Sequence, residues 1–181
     1  MEEINDYKSC YSHLMWYNVI VMEKQKVYIE TSVVSYYASR PSRDLVIAAR
    51  QETTRELWPA LANRFDRYIS MLVLMEINKG DLTAVDERKK AILDIPVLNV
   101  TQESEFLAEA IINEGLAPKQ FAEDSLHIAL AAVNGMDYLV TWNFRHLNNA
   151  LTKMHIARFI EKQGYVPPVF CSPDELLGDA L

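Results

Sequence analysis

The chain has 181 residues, 50% of them apolar, with 25 acidic against 18 basic side chains for a formal charge of −7. That length suits one domain with a substantial core, and the composition excludes an intrinsically disordered chain. The acidic balance argues against a passive binder that neutralises phosphates, but not against a metal enzyme whose acidic site is charge-inverted by its cations. At the amino end, Glu2, Glu3 and Asp6 stand where a signal peptide would be positive. The apolar run from His13 to Met22 is broken by Asn18 and too short to span a bilayer. Cys10 and Cys171, the only cysteines, lack metal-ligand spacing, so the expectation is a soluble protein of the reducing cytoplasm with no membrane association. The recognisable pattern begins at Lys26, which divides the chain into an extension, residues 1–25, and one domain, residues 26–181. Met22-Glu23-Lys24 can also serve as an alternative translation start. If the extension is real, Met15, Trp16, Tyr17, Val19 and Ile20 need covering by this subunit or another.

Lys26 to Thr31 is β-rich and predicts the first strand, with Glu30 at its carboxyl end. Ser32 to Ala38 reads as a turn or short helix, and Asp44 opens a helix that reaches Trp58 or runs on past Pro59. Asp66 to Ile69 is a second strand, followed by an apolar helix, Met71 to Asn78, closed by Gly80, with Glu76 as its one carboxylate. Leu82 to Leu93 is a charged surface helix, and Pro96 to Val100 a third strand. Thr101 can cap a helix from Gln102 to Glu114, which Gly115 ends.

From Pro118 to Leu147 runs the stretch that organises the rest. Pro118 suits the first turn of a helix and Gly135 the left-handed residue that ends one. Leu126 to Val133 is apolar almost all round, which marks a buried helix, yet Asp124 opens it. Tyr138 to Thr141 is a short buried strand, and Asn143 can cap a long helix reaching Gln163 before Gly164. Pro168 to Cys171 is a last strand, and Ser172-Pro173-Asp174-Glu175 is a capping box with proline at its first helical position. Strands alternating with helices imply a parallel sheet covered on both faces, an α/β domain.

Glu30 follows strand one, Glu76 follows strand two, Asp124 precedes strand four and Asn143 follows it. In open parallel sheets ligands bind beyond the carboxyl ends of the strands, so these four can converge there. Hard oxygen ligands without histidine or cysteine suit Mg²⁺ or Mn²⁺, and such ions activate water for in-line attack on a phosphodiester.

The blocks Val27-Tyr28-Ile29-Glu30-Thr31-Ser32, Met75-Glu76-Ile77, Glu123-Asp124-Ser125-Leu126-His127-Ile128-Ala129 and Asp137-Tyr138-Leu139-Val140-Thr141-Trp142-Asn143 resemble the four signature blocks of PIN-domain proteins, especially VapC-like toxins of type II toxin–antitoxin systems. The resemblance covers Lys26 to Leu177, and its third block is the most specific. It implies a three-layer α/β/α fold around a mostly parallel sheet. It also implies a Mg²⁺- or Mn²⁺-dependent endoribonuclease acting on RNA, often a homodimer, and inhibited by a cognate antitoxin. Glu30, Glu76 and Asp124 would then be the catalytic, metal-binding carboxylates, with Asn143 as a fourth metal-site residue. Two departures stand out: Glu30 replaces the family's usual aspartate, and Asn143 is neutral where a fourth acid is usual.

Each reading has a plainer rival. Asp124 can be a helix N-terminal carboxylate favoured by the macrodipole, Glu76 the partner of an arginine, Glu30 a strand-end residue, and Asn143 only a helix cap. His127, at i+3 from Asp124, reads as a packed histidine orienting Asp124 or the core around it. Thr31 and Ser32, whose hydroxyls beside Glu30 can orient waters, are candidates for substrate binding together with Arg43 and Arg145, and Arg40, Lys153, Arg158 and Lys162 are further candidates for the RNA backbone. The functional alternative to a ribonuclease is a catalytically weak PIN-like module that binds RNA or a protein partner. A nucleotide-binding domain is disfavoured, since no glycine-rich loop follows the first strand.

Overall fold

The structure, a computed structural model, describes residues 23–145, 147 and 149–178. The expectations placed on residues 1–22 lie outside that range. Five strands, β1 (Gln25–Ile29), β2 (Phe65–Ser70), β3 (Val97–Leu98), β4 (Tyr138–Val140) and β5 (Val169–Cys171), form one sheet in the order β3-β2-β1-β4-β5. Every pairing is parallel, with Val27 opposite both Arg67 and Tyr138, and Ile29 opposite Val140. The chain steps outward from β1 through β2 to β3, then returns to the other side of β1 for β4 and β5. The switch point therefore lies between β1 and β4, where crossovers leave in opposite directions and open a crevice at the carboxyl edge.

Helices α1 (Thr31–Ala38), α2 (Leu45–Arg64), α3 (Met71–Ile77), α4 (Leu82–Ala91), α5 (Gln102–Asn113), α6 (Ala122–Val133), α7 (Ala150–Lys162) and α8 (Pro173–Leu177) complete a three-layer α/β/α arrangement. Helix α2 packs on α1 and α8, while α5 packs on α6. The strands are short and apolar because both faces are covered: Val27, Tyr28, Ile29, Ile69, Leu139 and Val140 are all buried. Helix α6 supplies an equally closed surface, with Ile128, Ala129, Leu130, Ala131 and Ala132 buried in succession. No helix among the described residues is long and apolar enough to cross a membrane.

Several boundaries follow the sequence closely. Asp44 caps α2 by accepting from Val46 N and Ile47 N, and the helix continues through Pro59 to Arg64. Gly80, Gly115, Gly135 and Gly164 all have positive φ just beyond helix ends. Gly135, at φ 63°, turns the chain from α6 into β4. Thr101 caps α5 in a reciprocal box with Ser104, and Ser172 pairs with Glu175 at α8.

Two expectations are corrected. Pro118 does not open the buried helix. It precedes a single 3₁₀ turn, Lys119–Phe121, and Phe121 at φ −119°, ψ 42° interrupts the helical path before α6 begins at Ala122. Asn143 does not cap α7 either. That helix starts at Ala150, and Asn149 caps it with its side chain accepting from Leu151 N at 2.9 Å. The amide of Asn143 is instead spent on Asp124, as described below, and its carbonyl accepts from Leu147 N at 3.1 Å. The assignment predicts that Asn149→Ala lowers stability by about 1 kcal/mol through loss of the cap. Urea unfolding of the variant checks it, and an unchanged midpoint would show that the cap contributes nothing.

Candidate active site

Glu30 is the residue between β1 and α1, held in place where its N–H donates to Val140 O across the sheet at 3.2 Å. It is 7% exposed, a burial that is costly for a carboxylate without partners. Two hydroxyls supply them. Thr141, opposite Glu30 just past β4, donates to Glu30 Oε2 at 2.8 Å, and Ser32 donates to the same oxygen. Both hydroxyls are themselves fixed, because Ser32 Oγ accepts from Trp142 N and Thr141 Oγ1 accepts from Asn143 N, each at 2.9 Å.

Glu76 arrives from the last turn of α3. Thr31 donates to its Oε2, and His127 Nε2 lies 3.0 Å from the same atom. A carboxylate only accepts, so Nε2 carries the hydrogen. His127 is 1% exposed and its Nδ1 lies 2.7 Å from the hydroxyl of Tyr28, which lies 2.7 Å from Ser70 Oγ. With a neutral ring, every donor finds one acceptor: Ser70 donates to Tyr28, Tyr28 to His127 Nδ1, and His127 Nε2 to Glu76. Ser70 Oγ in turn accepts from Val73 N at 3.3 Å, as the cap of α3.

Burial pushes against the charge of Glu76. The hydrogen bond and charge of His127, the Thr31 hydroxyl and Lys79 outweigh it, and hold this carboxyl below its usual range. Burial likewise disfavours a protonated His127, but the bond to Glu76 and the charges of Glu30, Glu76 and Asp124 raise its proton affinity above the ordinary value. Tyr28 is pushed far up, chiefly by burial, so it stays a neutral phenol able to donate.

Glu30, Glu76 and His127 thus form a cluster whose ligand atoms lie within 4.8 Å of one another. In both carboxylates the donors fall on Oε2, and among the described residues no hydrogen bond falls on either Oε1. Two carboxylates with ligand atoms this close favour a cation between them. The donor set suits a divalent ion with hard oxygen ligands.

Asp124 sits in the first turn of α6, half-buried, and its Oδ1 accepts from Asn143 Nδ2 at 3.0 Å. Its charge reaches His127, yet its carboxylate is not one of the three clustered groups. Of the two roles expected for His127, orienting Asp124 or the core around it, its ring nitrogens favour the second: Nδ1 faces the buried Tyr28 and Nε2 faces Glu76. Glu76 has a histidine and a threonine as partners, not an arginine. Thr31 and Ser32 direct their hydroxyls to the carboxylates, while Arg43 and Arg145 are exposed. Tyr28, Ser70 and Thr141 had no role assigned from sequence. For Thr141 a signal existed, since parallel pairing of strands one and four sets a hydroxyl opposite Glu30.

No protein-family model matches this sequence. No curated protein is detectably similar to it. Solved structures are. One is VapBC2 from Rickettsia felis bound to a DNA fragment from their promoter, 14% identical with a TM-score of 0.55, covering 82% of this chain and 98% of that one. Another is Mycobacterium tuberculosis VapC20, described as a sarcin–ricin-loop-cleaving toxin, 18% identical with a TM-score of 0.50, covering 77% and 96%. At such identities the likeness is one of fold: the chain has a three-layer α/β/α, PIN-like fold similar to these VapC structures.

The buried chain of hydroxyls behind Glu76 makes its own prediction. Tyr28→Phe strands the Nδ1 of His127 and the hydroxyl of Ser70, at a cost of about 1–3 kcal/mol. Urea unfolding measures it, and a loss indistinguishable from zero would mean that water replaces the missing hydroxyl.

Proposed function

We propose that this PIN-fold chain is a metal-dependent endoribonuclease that hydrolyses RNA phosphodiester bonds, of the kind found in VapC toxins. The observation that carries the reading is the pairing of Glu30 and Glu76 at the sheet's switch point, each with one oxygen saturated by donors and the other without any. Glu30, Glu76 and Asp124 are the carboxylates assigned to catalysis, with Asn143 positioning Asp124 by its amide.

A bound Mg²⁺ or Mn²⁺ would supply an activated water and neutralise charge on the phosphate. The rest belongs to the protein. Ser32 and Thr141 hold Glu30 from one side, and Thr31 and His127 hold Glu76 from the other, so neither carboxylate has to reorganise when a cation or phosphate arrives. Asp124, in the first turn of α6, adds a third anion at the same edge. In the exposed positions they occupy, Arg43 and Arg145 are assigned to the RNA backbone. The fold likeness to VapBC2, solved as a complex on DNA, supports a cognate antitoxin as partner. A homodimer in the cytoplasm completes the reading.

Glu30→Gln is expected to leave the fold in place, since the amide oxygen still accepts from Ser32 and Thr141, while abolishing Mn²⁺-dependent cleavage of a mixed RNA pool. Calorimetry with Mn²⁺ and gel analysis of the RNA check both halves, and undiminished cleavage in the variant would sink the assignment.

One observation favours a second reading, a weakly active PIN module that binds RNA or a protein partner: Asp124 is engaged by the neutral Asn143 at a position where PIN proteins usually have an acid. Asn143→Asp separates the two. Tighter Mn²⁺ binding with faster cleavage is expected if the position faces the metal site, and unchanged affinity would place it outside.

A further inference from the structure

We infer that Phe144, backed by Arg50 and Trp142, is a stacking platform for an unpaired nucleobase of an RNA strand lying along the acidic edge. The inference rests on the ribonuclease reading above and adds a substrate-binding subsite to it.

Phe144 is 39% exposed, an open aromatic ring on the loop that carries the site. Its place is fixed by its neighbours in sequence. Thr141, three residues earlier, donates to Glu30, and Asn143, immediately before it, donates to Asp124. The backbone that carries the ring is thus one residue from the Asn143–Asp124 contact and three from the Thr141–Glu30 contact. Its support is rigid. Trp142 is 7% exposed, its indole N–H donates to Thr54 Oγ1 at 2.8 Å, and its backbone N–H donates to Ser32 Oγ, the hydroxyl that also holds Glu30. Trp142 and Phe144 meet edge to face with centroids 5.9 Å apart.

Arg50, from α2, lies over both rings, its guanidinium carbon 5.4 Å from the Trp142 centroid and 5.1 Å from that of Phe144. Among the described residues, no carboxylate pairs with Arg50. A half-buried cation over two aromatic rings, without an acidic partner in a chain of net charge −7, is complementary to a polyanion. Solitary exposed phenyl rings are common and need no explanation. This one has a cation across it, a buried indole behind it, and a place on the loop that carries Thr141 and Asn143. Unpaired bases bind proteins in this way, by stacking on an aromatic ring next to a positive charge, and the mode tolerates any base because every base has a π face. The platform selects for single-stranded RNA, whose bases are free to stack outward.

The test is equilibrium binding of a short fluorescent single-stranded RNA to the full chain, read by anisotropy in EDTA so that nothing is cleaved. Phe144→Ala is expected to weaken binding roughly 5- to 150-fold, the range that one stacked base provides. Phe144→Leu is expected to fall with it despite its similar apolar bulk, and Phe144→Trp to retain the affinity. A set of RNAs, each with one abasic position, locates the base: one position weakens binding to the wild type and costs nothing further in Phe144→Ala. Full affinity in Phe144→Leu would make the ring a packing element and overturn the inference, as would additive losses at every abasic position or no RNA binding at all. Cleavage with Mn²⁺ is scored separately. Loss of stacking with cleavage intact defeats only the platform, while stacking without any cleavage upholds the platform and defeats the ribonuclease reading.

Discussion

Two carboxylates at the mouth of a parallel sheet set the terms for everything around them. Glu30 is nearly buried and Glu76 partly so, and each would be expensive to keep ionised in that position without donors aimed at it. The fold answers with hydroxyls and one imidazole: Ser32 and Thr141 on Glu30, Thr31 and His127 on Glu76. All four come from the segments that flank the switch point, the start of α1, the loop after β4 and the buried helix α6. The sheet order makes that possible. With β1 between β2 and β4, the ends of three chain segments meet at one edge, and a helix that leads into β4 brings its own residues back to it.

The support extends one layer deeper on the Glu76 side. His127, Tyr28 and Ser70 form a line of hydrogen bonds running from the carboxylate into the core, closed by the N–H of Val73 at the start of α3. Since α3 also carries Glu76, the helix is tied at both ends to the same network. That closure explains why a buried histidine and a buried tyrosine are tolerated among apolar neighbours: no polar atom in the line lacks a partner, so their burial forfeits little. On the Glu30 side the support is shorter and reaches Trp142, whose indole is anchored on α2 through Thr54. Asp124 is joined to Asn143 and is not one of the three clustered groups.

Much of this was legible in the sequence. Alternating apolar runs and helical patterns specified a parallel α/β domain. Asp44, Thr101 and Ser172 announced helix starts, and the glycines after each run announced helix ends. The local nature of these signals is the reason they can be read: a cap or a left-handed glycine acts within one turn of where it stands. The two misplaced boundaries, Pro118 and Asn143, are cases where the local signal was ambiguous. Proline suits a 3₁₀ turn as well as an α-helix. Asparagine can cap a helix or donate its amide, and the loop holds a second asparagine, Asn149, that performs the capping.

What the sequence by itself determined was which residues carry charge and where strands end, and from these came the expectation that Glu30, Glu76 and Asp124 lie near one edge. What only the tertiary structure decided was who meets whom there. Thr31 and Glu76 are 45 positions apart, His127 and Glu76 51, Tyr28 and His127 99, and Thr141 and Glu30 111. Pairings over such separations depend on strand order and register, which no local pattern encodes. A shift of one residue in the β1–β4 register would carry Thr141 away from Glu30 and turn alternate side chains to the opposite face. The composition of the site was written in the chain, and its wiring in the packing of the sheet.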